Sequence, residues 1–329
     1  MSTKSFKWGI MGCGNIAGHF ATSLQTVSGA VLHAVASRSE EKAKSFGRKY
    51  NAEKSYGSYE MLVQDPQVDA VYIATPHNLH LENAMMCLIY KKAVLCEKPL
   101  TVNAGEAKKL INEARARETF LMEAFWTRFL PSTMKLNQLL NEGAIGTCRL
   151  VQADFGYNMP FDANHRSYNP GLAGGALLDV GIYPINFAQM IFREIPLEIS
   201  SAIIPSITGV DEQSAYIFKY SSGSLAVMNS AVNVETQHNA WIYGSEGFIH
   251  MPDFFHATKI HVQGKDGKCD TLSVPFESTG YGYEAIEVMN CINSGKIESA
   301  IMPLSESLEI MELMDTIRGQ WGLKYPGEQ

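Results

Sequence analysis

The sequence contains no arrangement of cysteines that suggests a metal site or a redox pair. It has six cysteines without a CxxC pair or metal-ligand spacing, namely Cys13, Cys87, Cys96, Cys148, Cys269 and Cys291. Scattered cysteines are typical of reduced thiols in a reducing compartment. We therefore expect a cytoplasmic protein.

Long basic runs and long apolar runs are missing as well. The chain has 27 basic and 34 acidic residues and a net charge of -7, so a nucleic-acid or membrane partner is not expected. Charged residues, Pro or Gly interrupt each apolar run within about 18 residues, and the first residues carry no apolar signal segment. The 329 residues, 46% of them hydrophobic, suffice for two domains.

The stretch 7–36 shows the order of a nucleotide-binding βαβ unit. An apolar run leads to Gly12, Gly14 and Ala17, then to an amphipathic segment and a second apolar run. Gly12 permits a tight turn, Gly14 lets the backbone approach a pyrophosphate, and Ala17 allows close packing of helix on strand. The alternative is a glycine loop without a ligand. We predict cofactor contacts from Gly12, Cys13, Gly14, Asn15 and Ile16.

The end of the second strand bears on the choice of cofactor. NAD enzymes usually place a carboxylate there for the ribose hydroxyls, whereas this chain reads Ser37-Arg38-Ser39. A guanidinium can pair with a 2′-phosphate and lie on the adenine face. Ser37 and Arg38 therefore favour NADP(H) over NAD(H), unless Arg38 is only a solvated loop residue.

A buried parallel strand is predicted at about 68–75, and polar residues follow at its carboxyl end. Ligands bind on this side of an open α/β sheet. No carboxylate or cysteine completes a metal site with the two histidines, so a bound metal is not expected, and a structural imidazole is the alternative. The predicted cofactor contacts here are Thr75, Pro76, His77 and His80.

The next strand, Ala93 to Cys96, leads into Glu97-Lys98-Pro99. A lysine at the carboxyl end of a strand, between an acid and a proline that stops the strand, is poorly explained as surface decoration. Its ammonium could stabilise a developing alkoxide or lower the pKa of a neighbouring hydroxyl. The alternative is an ordinary surface lysine.

The sequence from Glu123 to Pro131 ends the first domain. We predict an α/β Rossmann domain over 1–123, followed over 124–329 by an α+β domain with a large, mostly antiparallel open sheet. The aromatic residues 125–129 suit either a core or a pocket wall. We assign substrate contacts, from position and residue type, to Trp126, Arg128, Tyr157, Arg166 and Tyr168.

The second half also contains a glycine-rich segment with a carboxylate and a phenol. After Gly174 and Gly175, a helix from about Ala176 would place Asp179 and Tyr183 on one face, at i and i+4. Such a pair can bind a polyol and serve it with a proton donor. A buried, satisfied Tyr183 and a structural Asp179 are the alternative.

The motifs GCGNIA, TPHNLH, EKP and GGALLDVGIY, in this order, resemble the glucose-fructose oxidoreductase and inositol dehydrogenase family (Gfo/Idh/MocA). EAFWTRFLP and Tyr183 look most like the branch with dimeric dihydrodiol dehydrogenase and NADP-dependent xylose dehydrogenase, since other branches carry His at that position. The resemblance implies catalysis by Lys98 and Tyr183 with help from Asp179, and association through the open sheet as dimers or tetramers. It also implies cofactor contacts from Arg38, Thr75, His77, Glu97 and Tyr283.

These observations predict an NADP(H)-dependent oxidoreductase. It would transfer a hydride between nicotinamide and a carbinol or carbonyl carbon of a sugar-like or diol substrate, with Tyr183 as acid and base and Lys98 stabilising the oxyanion. Asp179 would hold a substrate hydroxyl or orient Lys98. The rivals are a non-catalytic nucleotide-binding regulator and a glycosidase or lyase with a tightly bound nicotinamide.

Overall fold

The computed structural model describes residues 5–328. The chain divides into two compact units, Met1–Phe129 with Glu277–Leu308 and Leu130–Phe276 with Glu309–Gln329. Residues 277–308 thus belong to the first unit although they come late in the sequence. The domain boundary between 123 and 124 stays a prediction.

The first unit is built on a six-stranded sheet whose paired strands are all parallel. The spatial order of the strands is β3-β2-β1-β4-β5-β6, the order of a doubly wound dinucleotide-binding domain. The strands are β1 (Phe6–Met11), β2 (Ala30–Ala36), β3 (Lys54–Tyr56), β4 (Ala70–Ile73), β5 (Ala93–Glu97) and β6 (Leu121–Ala124). β1, β4 and β5 are almost wholly apolar because a parallel sheet is covered on both faces.

Three helices of the first unit begin at side-chain caps, and the first helix begins after Gly14. Ser39 accepts a hydrogen bond from the Lys42 N–H, and Asn103 accepts one from the Glu106 N–H. The helices are α1 (Asn15–Leu24), α2 (Glu40–Tyr50), α3 (Tyr59–Gln64), α4 (His80–Ile89), α5 (Ala104–Ala116) and, from the returning segment, α8 (Gly282–Asn293). In the core, Phe20 of α1 stacks on Tyr72 of β4 with ring centroids 3.9 Å apart.

The second unit contains an eight-stranded sheet in the order β14-β13-β12-β11-β7-β10-β9-β8. All neighbouring strands are antiparallel except β7 and β10, which run parallel. The strands are β7 (Cys148–Gly156), β8 (Glu198–Pro205), β9 (Asp211–Lys219), β10 (Leu225–Ala231), β11 (Ala240–Gly244), β12 (Phe248–Met251), β13 (Lys259–Gln263) and β14 (Cys269–Ser273). The predicted fold class is confirmed in both units.

Two helices of the second unit are α6 (Pro131–Asn141) and α7 (Ile182–Phe192), and α9 (Leu304–Trp321) begins in the first unit and ends in the second. Residues 170–192 are long and apolar enough to cross a membrane, yet 89% of the apolar 18-residue window within them is buried inside the protein. A core helix passes the same length and composition test, so the stretch is weak evidence for a span.

Candidate active site

The glycine turn after β1 has the geometry expected of a phosphate cradle. Gly12 has a φ of +95°, and a Cβ there would lie 2.6 Å from the carbonyl oxygen of Ala74, so only glycine fits. Gly14 caps α1 without a side-chain hydrogen bond, and a Cβ built on it meets no described atom within 4 Å. A pyrophosphate can therefore approach Gly14 and the N–H groups at the start of α1.

A cleft of about 470 Å³ opens beside this turn within the first unit. Its lining includes Cys13, Gly14 and Asn15 from the turn and Lys42 and Lys49 from α2. Burial raises the pKa of Cys13 to about 11, although the charge of Lys42 opposes the shift. Cys13 is therefore a neutral thiol at neutral pH and fills space in the turn.

Ser37 and Arg38 lie at the carboxyl end of β2. Ser37 is buried, and its hydroxyl accepts a hydrogen bond from the Ser39 N–H at 3.3 Å. Arg38 is exposed, and its charge acts on the nearby phenol of Tyr59. The guanidinium of Arg38 is thus available to an anionic ligand at this edge of the sheet.

Buried polar groups hold residues 98–100, which we call the Lys98 loop. Glu97 accepts hydrogen bonds from the Tyr72 hydroxyl and, at 3.2 Å, from the Lys98 N–H. Glu123 accepts one from the Leu100 N–H at 2.9 Å. Burial raises the pKa of Glu123 to about 7, against the effect of its hydrogen bonds. The backbone on both sides of Pro99 is therefore fixed by acidic side chains from β5 and β6.

His80 ties the same loop to the end of β4. Its ring nitrogens lie 2.8 Å from the carbonyl oxygens of Pro99 and Thr75, and the side chain is fully buried. Burial lowers the pKa of His80, and a neutral imidazole can donate to only one of these carbonyls at a time. His80 therefore has a structural role in this loop, and the cofactor contact predicted for it stays a prediction.

Two other predicted cofactor contacts near β4 have partners of their own. The Thr75 hydroxyl accepts a hydrogen bond from the Asn83 side-chain amide at 2.9 Å. His77 is half-buried, with its ring 5.8 Å from that of His80, and Pro76 before it is exposed. Among the described residues, no group of three or more His, Cys, Asp or Glu side chains could hold a metal ion.

In the second unit, Asp179 lies at the centre of a polar cluster. The Tyr157 hydroxyl donates to one carboxylate oxygen at 2.6 Å, and Arg166 contacts the other at 2.8 Å. Burial, and after it the charge of Asp179, raises the pKa of Tyr157, so this phenol stays protonated. The structure thus brings together two predicted substrate residues and a predicted catalytic residue.

Asp179 and Tyr183 do not share a plain α-helix. Residues Leu177–Gly181 form a π-helical turn, and α7 begins only at Ile182. Because a π-turn is wider than an α-turn, the predicted i and i+4 spacing does not describe this segment. Tyr183 packs against aromatic rings, with centroid distances of 5.1 Å to Phe155 and 6.1 Å to Phe255.

Three predicted substrate residues are packed inside their units. Tyr168 is 1% exposed and donates its hydroxyl to the Met159 carbonyl at 2.8 Å. Trp126 stacks on Tyr281 at 4.6 Å, and Arg128 pairs with Glu306 at 2.8 Å. The Tyr168 hydroxyl is engaged by the backbone, and a substrate contact for this residue stays a prediction. Trp126 and Arg128 are mostly buried, so a contact with substrate remains a prediction for them.

Comparison with known proteins identifies the family of the chain. Residues 6–125 match the GFO_IDH_MocA oxidoreductase family with an NAD-binding Rossmann fold, and residues 133–250 match the GFO/IDH/MocA C-terminal domain. The chain belongs to this family. As a Gfo/Idh/MocA protein, it is a nicotinamide-dependent dehydrogenase or reductase that acts on CH–OH groups.

Similar proteins cover nearly the whole Gfo/Idh/MocA chain. A trans-1,2-dihydrobenzene-1,2-diol dehydrogenase of Xenopus tropicalis is 40% identical, with 97% of this chain and 99% of that protein covered. The Homo sapiens protein of the same name is 36% identical, with 99% of each covered. A 3-ketoreductase from Actinomadura kijaniata, solved with NADP and TDP-benzene, is 27% identical, with a TM-score of 0.85 and coverage of 96% and 98%.

An aldose-aldose oxidoreductase from Caulobacter crescentus shares the fold of this Gfo/Idh/MocA chain. It has a TM-score of 0.88 at 22% identity, with 97% of this chain and 99% of that chain covered. At this identity the likeness concerns the fold alone.

Sequence reasoning missed several residues around the Lys98 loop. Tyr72 donates to Glu97, Glu123 accepts from Leu100, Tyr281 stacks on Trp126, and Glu284 is fully buried. Sequence reasoning selected Tyr283, whose hydroxyl accepts a hydrogen bond from the Glu277 N–H at 3.1 Å. The motif GYGYE was the available signal for Tyr281 and Glu284, but only packing shows which of its side chains point inward.

Proposed function

We propose that this enzyme is an NADP(H)-dependent dehydrogenase of ring-bearing vicinal diols or sugar-like alcohols. The observation that carries the proposal is the Lys98 loop. It places an ammonium at the carboxyl edge of the Rossmann sheet and is held there by Glu97, Glu123 and His80. This edge is where ligands bind in open α/β sheets.

Each catalytic side chain has a defined task in this proposal. Lys98 stabilises the oxyanion, and Tyr183 takes the hydroxyl proton during oxidation and returns it during reduction. Asp179 orients Tyr157 and Arg166, because both of its oxygens are already engaged by them. A bound nicotinamide accepts or supplies the hydride.

The cofactor preference rests on the end of β2 and on the cleft beside it. Arg38 is exposed there, and Lys42 and Lys49 line the cleft. The sequence between Ala36 and Ser39 contains no carboxylate. Cationic groups favour a 2′-phosphate, whereas a carboxylate would repel it. NADP(H) is therefore preferred, and NAD(H) is the weaker alternative.

The substrate class rests on the side chains around Tyr183. Phe155 and Phe255 face its ring, while Asp179 and Arg166 provide polar groups nearby in sequence and structure. Apolar walls with a few polar groups suit a ring that bears adjacent hydroxyls. The trans-dihydrodiol activity in the names of the relatives agrees with this chemistry.

The enzyme is further proposed to be cytoplasmic and to form a homodimer or homotetramer through the open face of its eight-stranded sheet. That face exposes Ile217, Leu225 and Val227, which are neighbours on β9 and β10. All six cysteines are free, as suits a reducing compartment.

The proposal is tested with a panel of trans-dihydrodiols, aldoses and deoxy-ketoses, each assayed with NADP(H) and with NAD(H) by absorbance of the reduced nicotinamide. We expect the highest kcat/KM for a ring-bearing diol or a sugar with NADP(H). Turnover only with NAD(H), or with none of these alcohols and ketones, would contradict it.

A further inference from the structure

The two glycines before the π-turn, residues 174–175, leave no room for a side chain, and we call them the glycine pair. A Cβ on Gly174 would lie 2.6 Å from the carbonyl oxygen of Arg166, and a Cβ on Gly175 would lie 2.2 Å from a carboxyl oxygen of Asp211. Gly175 also has a φ of +116°, which favours glycine. The backbone of the glycine pair is therefore in close contact with two other segments of the second unit.

The glycine pair is connected by hydrogen bonds to the polar groups around Asp179. The Gly175 N–H donates to the Ser167 carbonyl at 2.9 Å. The hydroxyls of Ser167 and Tyr157 are 2.8 Å apart, and Ser167 is the donor because the Tyr157 proton is given to Asp179. Arg166, the residue before Ser167, contacts Asp179 at 2.8 Å. A shift of the glycine pair would therefore displace two residues that contact Tyr157 and Asp179.

A residue beyond α9 also binds the glycine pair. Tyr325 is 4% exposed, and its hydroxyl donates to the Gly174 carbonyl at 2.6 Å. Burial raises the pKa of Tyr325 well above its usual value, so the phenol keeps the proton that this hydrogen bond requires. A buried carbonyl that loses such a donor costs free energy. Tyr325 therefore joins the segment after α9 to the glycine pair.

The segment that carries Tyr325 is itself tied to α9. The Arg318 guanidinium donates to both carboxylate oxygens of Glu328, at 2.7 and 2.9 Å, and lies 4.9 Å from the centre of the Tyr325 ring. Glu328 also accepts a hydrogen bond from the Tyr325 N–H at 2.7 Å. Arg318 is 4% exposed, so water competes little with this bidentate pair. The Tyr325 phenol is thus held in place by contacts of its own backbone and ring.

We propose that Tyr325 is a positioning residue for the Asp179 cluster, which we define as Tyr157, Arg166 and Asp179. Its hydroxyl fixes the glycine pair, and the glycine pair fixes the backbone at Ser167 and Arg166. The carboxylate of Asp179 and the two side chains that it orients thereby keep the arrangement that meets the substrate. The inference rests on the proposed role of the Asp179 cluster in serving the substrate.

Tyr325→Phe removes the hydroxyl and keeps the ring. With trans-1,2-dihydrobenzene-1,2-diol and NADP⁺ as the probes, we expect the KM for the diol to rise about 5- to 50-fold, the range for an unpaired buried polar group, and kcat to change less. The dissociation constant for NADPH should stay unchanged, because the proposed cofactor cleft lies in the first unit. A merely structural Tyr325 would lower the unfolding temperature and leave the KM of the folded enzyme unchanged, which would overturn the proposal.

Tyr220→Phe is the matched control for the loss of a phenolic hydroxyl. Tyr220 is 1% exposed in the same unit, and its hydroxyl has no hydrogen-bond partner among residues 5–328. We expect this variant to keep the wild-type KM for the diol. An equal rise of KM in Tyr220→Phe and Tyr325→Phe would overturn the proposal, because it would not depend on the hydrogen bond to Gly174.

Hydrogen exchange followed by mass spectrometry tests the same contact without turnover. In Tyr325→Phe, the N–H groups of Gly174 and Gly175 should exchange at least about tenfold faster, while those of β11 in the same unit stay unchanged. Wild-type exchange at the glycine pair would overturn the proposal even if KM changes. If Tyr325→Phe does not fold, Glu328→Gln, which weakens the hold on Tyr325, must raise KM and the exchange rate together.

Asp179→Asn distinguishes a failure of this inference from a failure of the proposed function. Wild-type kcat and KM in Asp179→Asn would remove the Asp179 cluster from the reaction, and the exchange result for Tyr325→Phe would still stand. An impaired Asp179→Asn enzyme beside an unimpaired Tyr325→Phe enzyme would overturn the positioning role alone.

Discussion

At the scale of single residues, Lys98 combines an accessible position with a rigid backbone. Its side chain is partly exposed, while Glu97 and Glu123 hold the backbone N–H groups of Lys98 and Leu100. A charge that is fixed in place before the reaction stabilises a developing oxyanion without a cost of reorganisation. The proposed chemistry therefore depends both on the ammonium and on the loop that holds it in place.

Lys98→Met removes the ammonium and keeps most of the side-chain volume. We expect kcat to fall by about 10²- to 10⁴-fold, the usual contribution of a group that assists proton transfer, with NADPH affinity nearly unchanged. Steady-state kinetics and a fluorescence titration with NADPH measure the two quantities. Lys44→Met, on the exposed face of α2, is the matched control and should leave both unchanged. A fully active Lys98→Met enzyme would show that another group stabilises the oxyanion.

Arg38→Ala tests the cofactor preference. The guanidinium can pair with a 2′-phosphate that NADPH carries and NADH lacks, so we expect the dissociation constant for NADPH to rise at least about tenfold, equivalent to about 1.4 kcal/mol, and that for NADH to change much less. Arg48→Ala, at an exposed arginine of α2, serves as the control. Equal losses for the two cofactors would contradict the assignment.

At the scale of secondary-structure elements, the turn between β1 and α1 uses its two glycines for different purposes. Gly12 is required by the backbone, because its φ is +95° and a Cβ would meet the Ala74 carbonyl. Gly14 has a φ of -90° and space for a Cβ. Gly12 is therefore needed for folding, whereas Gly14 is needed only for cofactor binding.

Gly14→Ala should unfold at the same temperature as the wild type but bind NADPH at least about tenfold more weakly, because the added methyl group meets the pyrophosphate. Gly12→Ala should lose about 1 to 3 kcal/mol of unfolding free energy as well. Thermal unfolding and fluorescence titration measure both effects. Wild-type affinity in a folded Gly14→Ala protein would argue against a pyrophosphate at this turn.

The start of the π-turn before α7 is held by a long-range contact. Asp211 of β9 accepts hydrogen bonds from the Leu177 N–H at 2.6 Å and from the Ser214 hydroxyl at 3.2 Å. Nevertheless, burial raises the pKa of Asp211 to about 7. The segment that carries Asp179 and Tyr183 is therefore anchored by a carboxyl group that is easily protonated.

Asp211→Asn should change how stability depends on pH. A folded-state pKa of about 7, above the usual 3.8, means that the folded protein holds a proton that the unfolded chain releases between about pH 4 and 7. The free energy of unfolding therefore falls as pH rises through this window. The Asp211→Asn substitution should remove this contribution to the slope of unfolding free energy against pH. Urea unfolding at several pH values measures it. Glu123 has a shift of the same sign and would leave a residual slope. An unchanged slope in Asp211→Asn would contradict this origin.

At the scale of the whole molecule, the open face of the eight-stranded sheet is the proposed surface of association. Ile217 and Val227 are cross-strand neighbours and are 46% and 38% exposed. Gln152 of β7 pairs with Val227, and Trp241 of β11 pairs with Gln152, so the same row of residues continues across the sheet. A contiguous, partly apolar face of this kind is more often an interaction surface than a surface that stays exposed to solvent.

Ile217→Glu together with Val227→Glu should yield monomers, because two buried carboxylates at a symmetric interface are each opposed by their copies. Sedimentation velocity compares the masses. Ile207→Glu changes an apolar residue that is 91% exposed and lies outside the strands, so it should leave the assembly unchanged. A wild-type mass for the double variant would place the interface elsewhere.

Local patterns predicted much of the first unit. The signals of α2 are visible in the sequence, because Ser39 supplies a cap and charged residues fill its exposed face. The strand predicted at 68–75 is β4, shortened to Ala70–Ile73. Boundaries shift because the last ladder bonds depend on the neighbouring strands. The π-turn at Leu177–Gly181 had no local signal, since its sequence also suits an ordinary α-helix.

The sequence by itself determined the βαβ unit, the need for glycine at position 12 and the placement of Lys98 at the end of a strand, because periodicity and turn chemistry are local properties. Only the tertiary structure decided that Tyr157 meets Asp179 while Tyr168 is used by the backbone, and that the Glu284 side chain is fully buried. Burial and hydrogen-bond partners depend on which elements pack together, and residues distant in the chain carry no local mark of that choice.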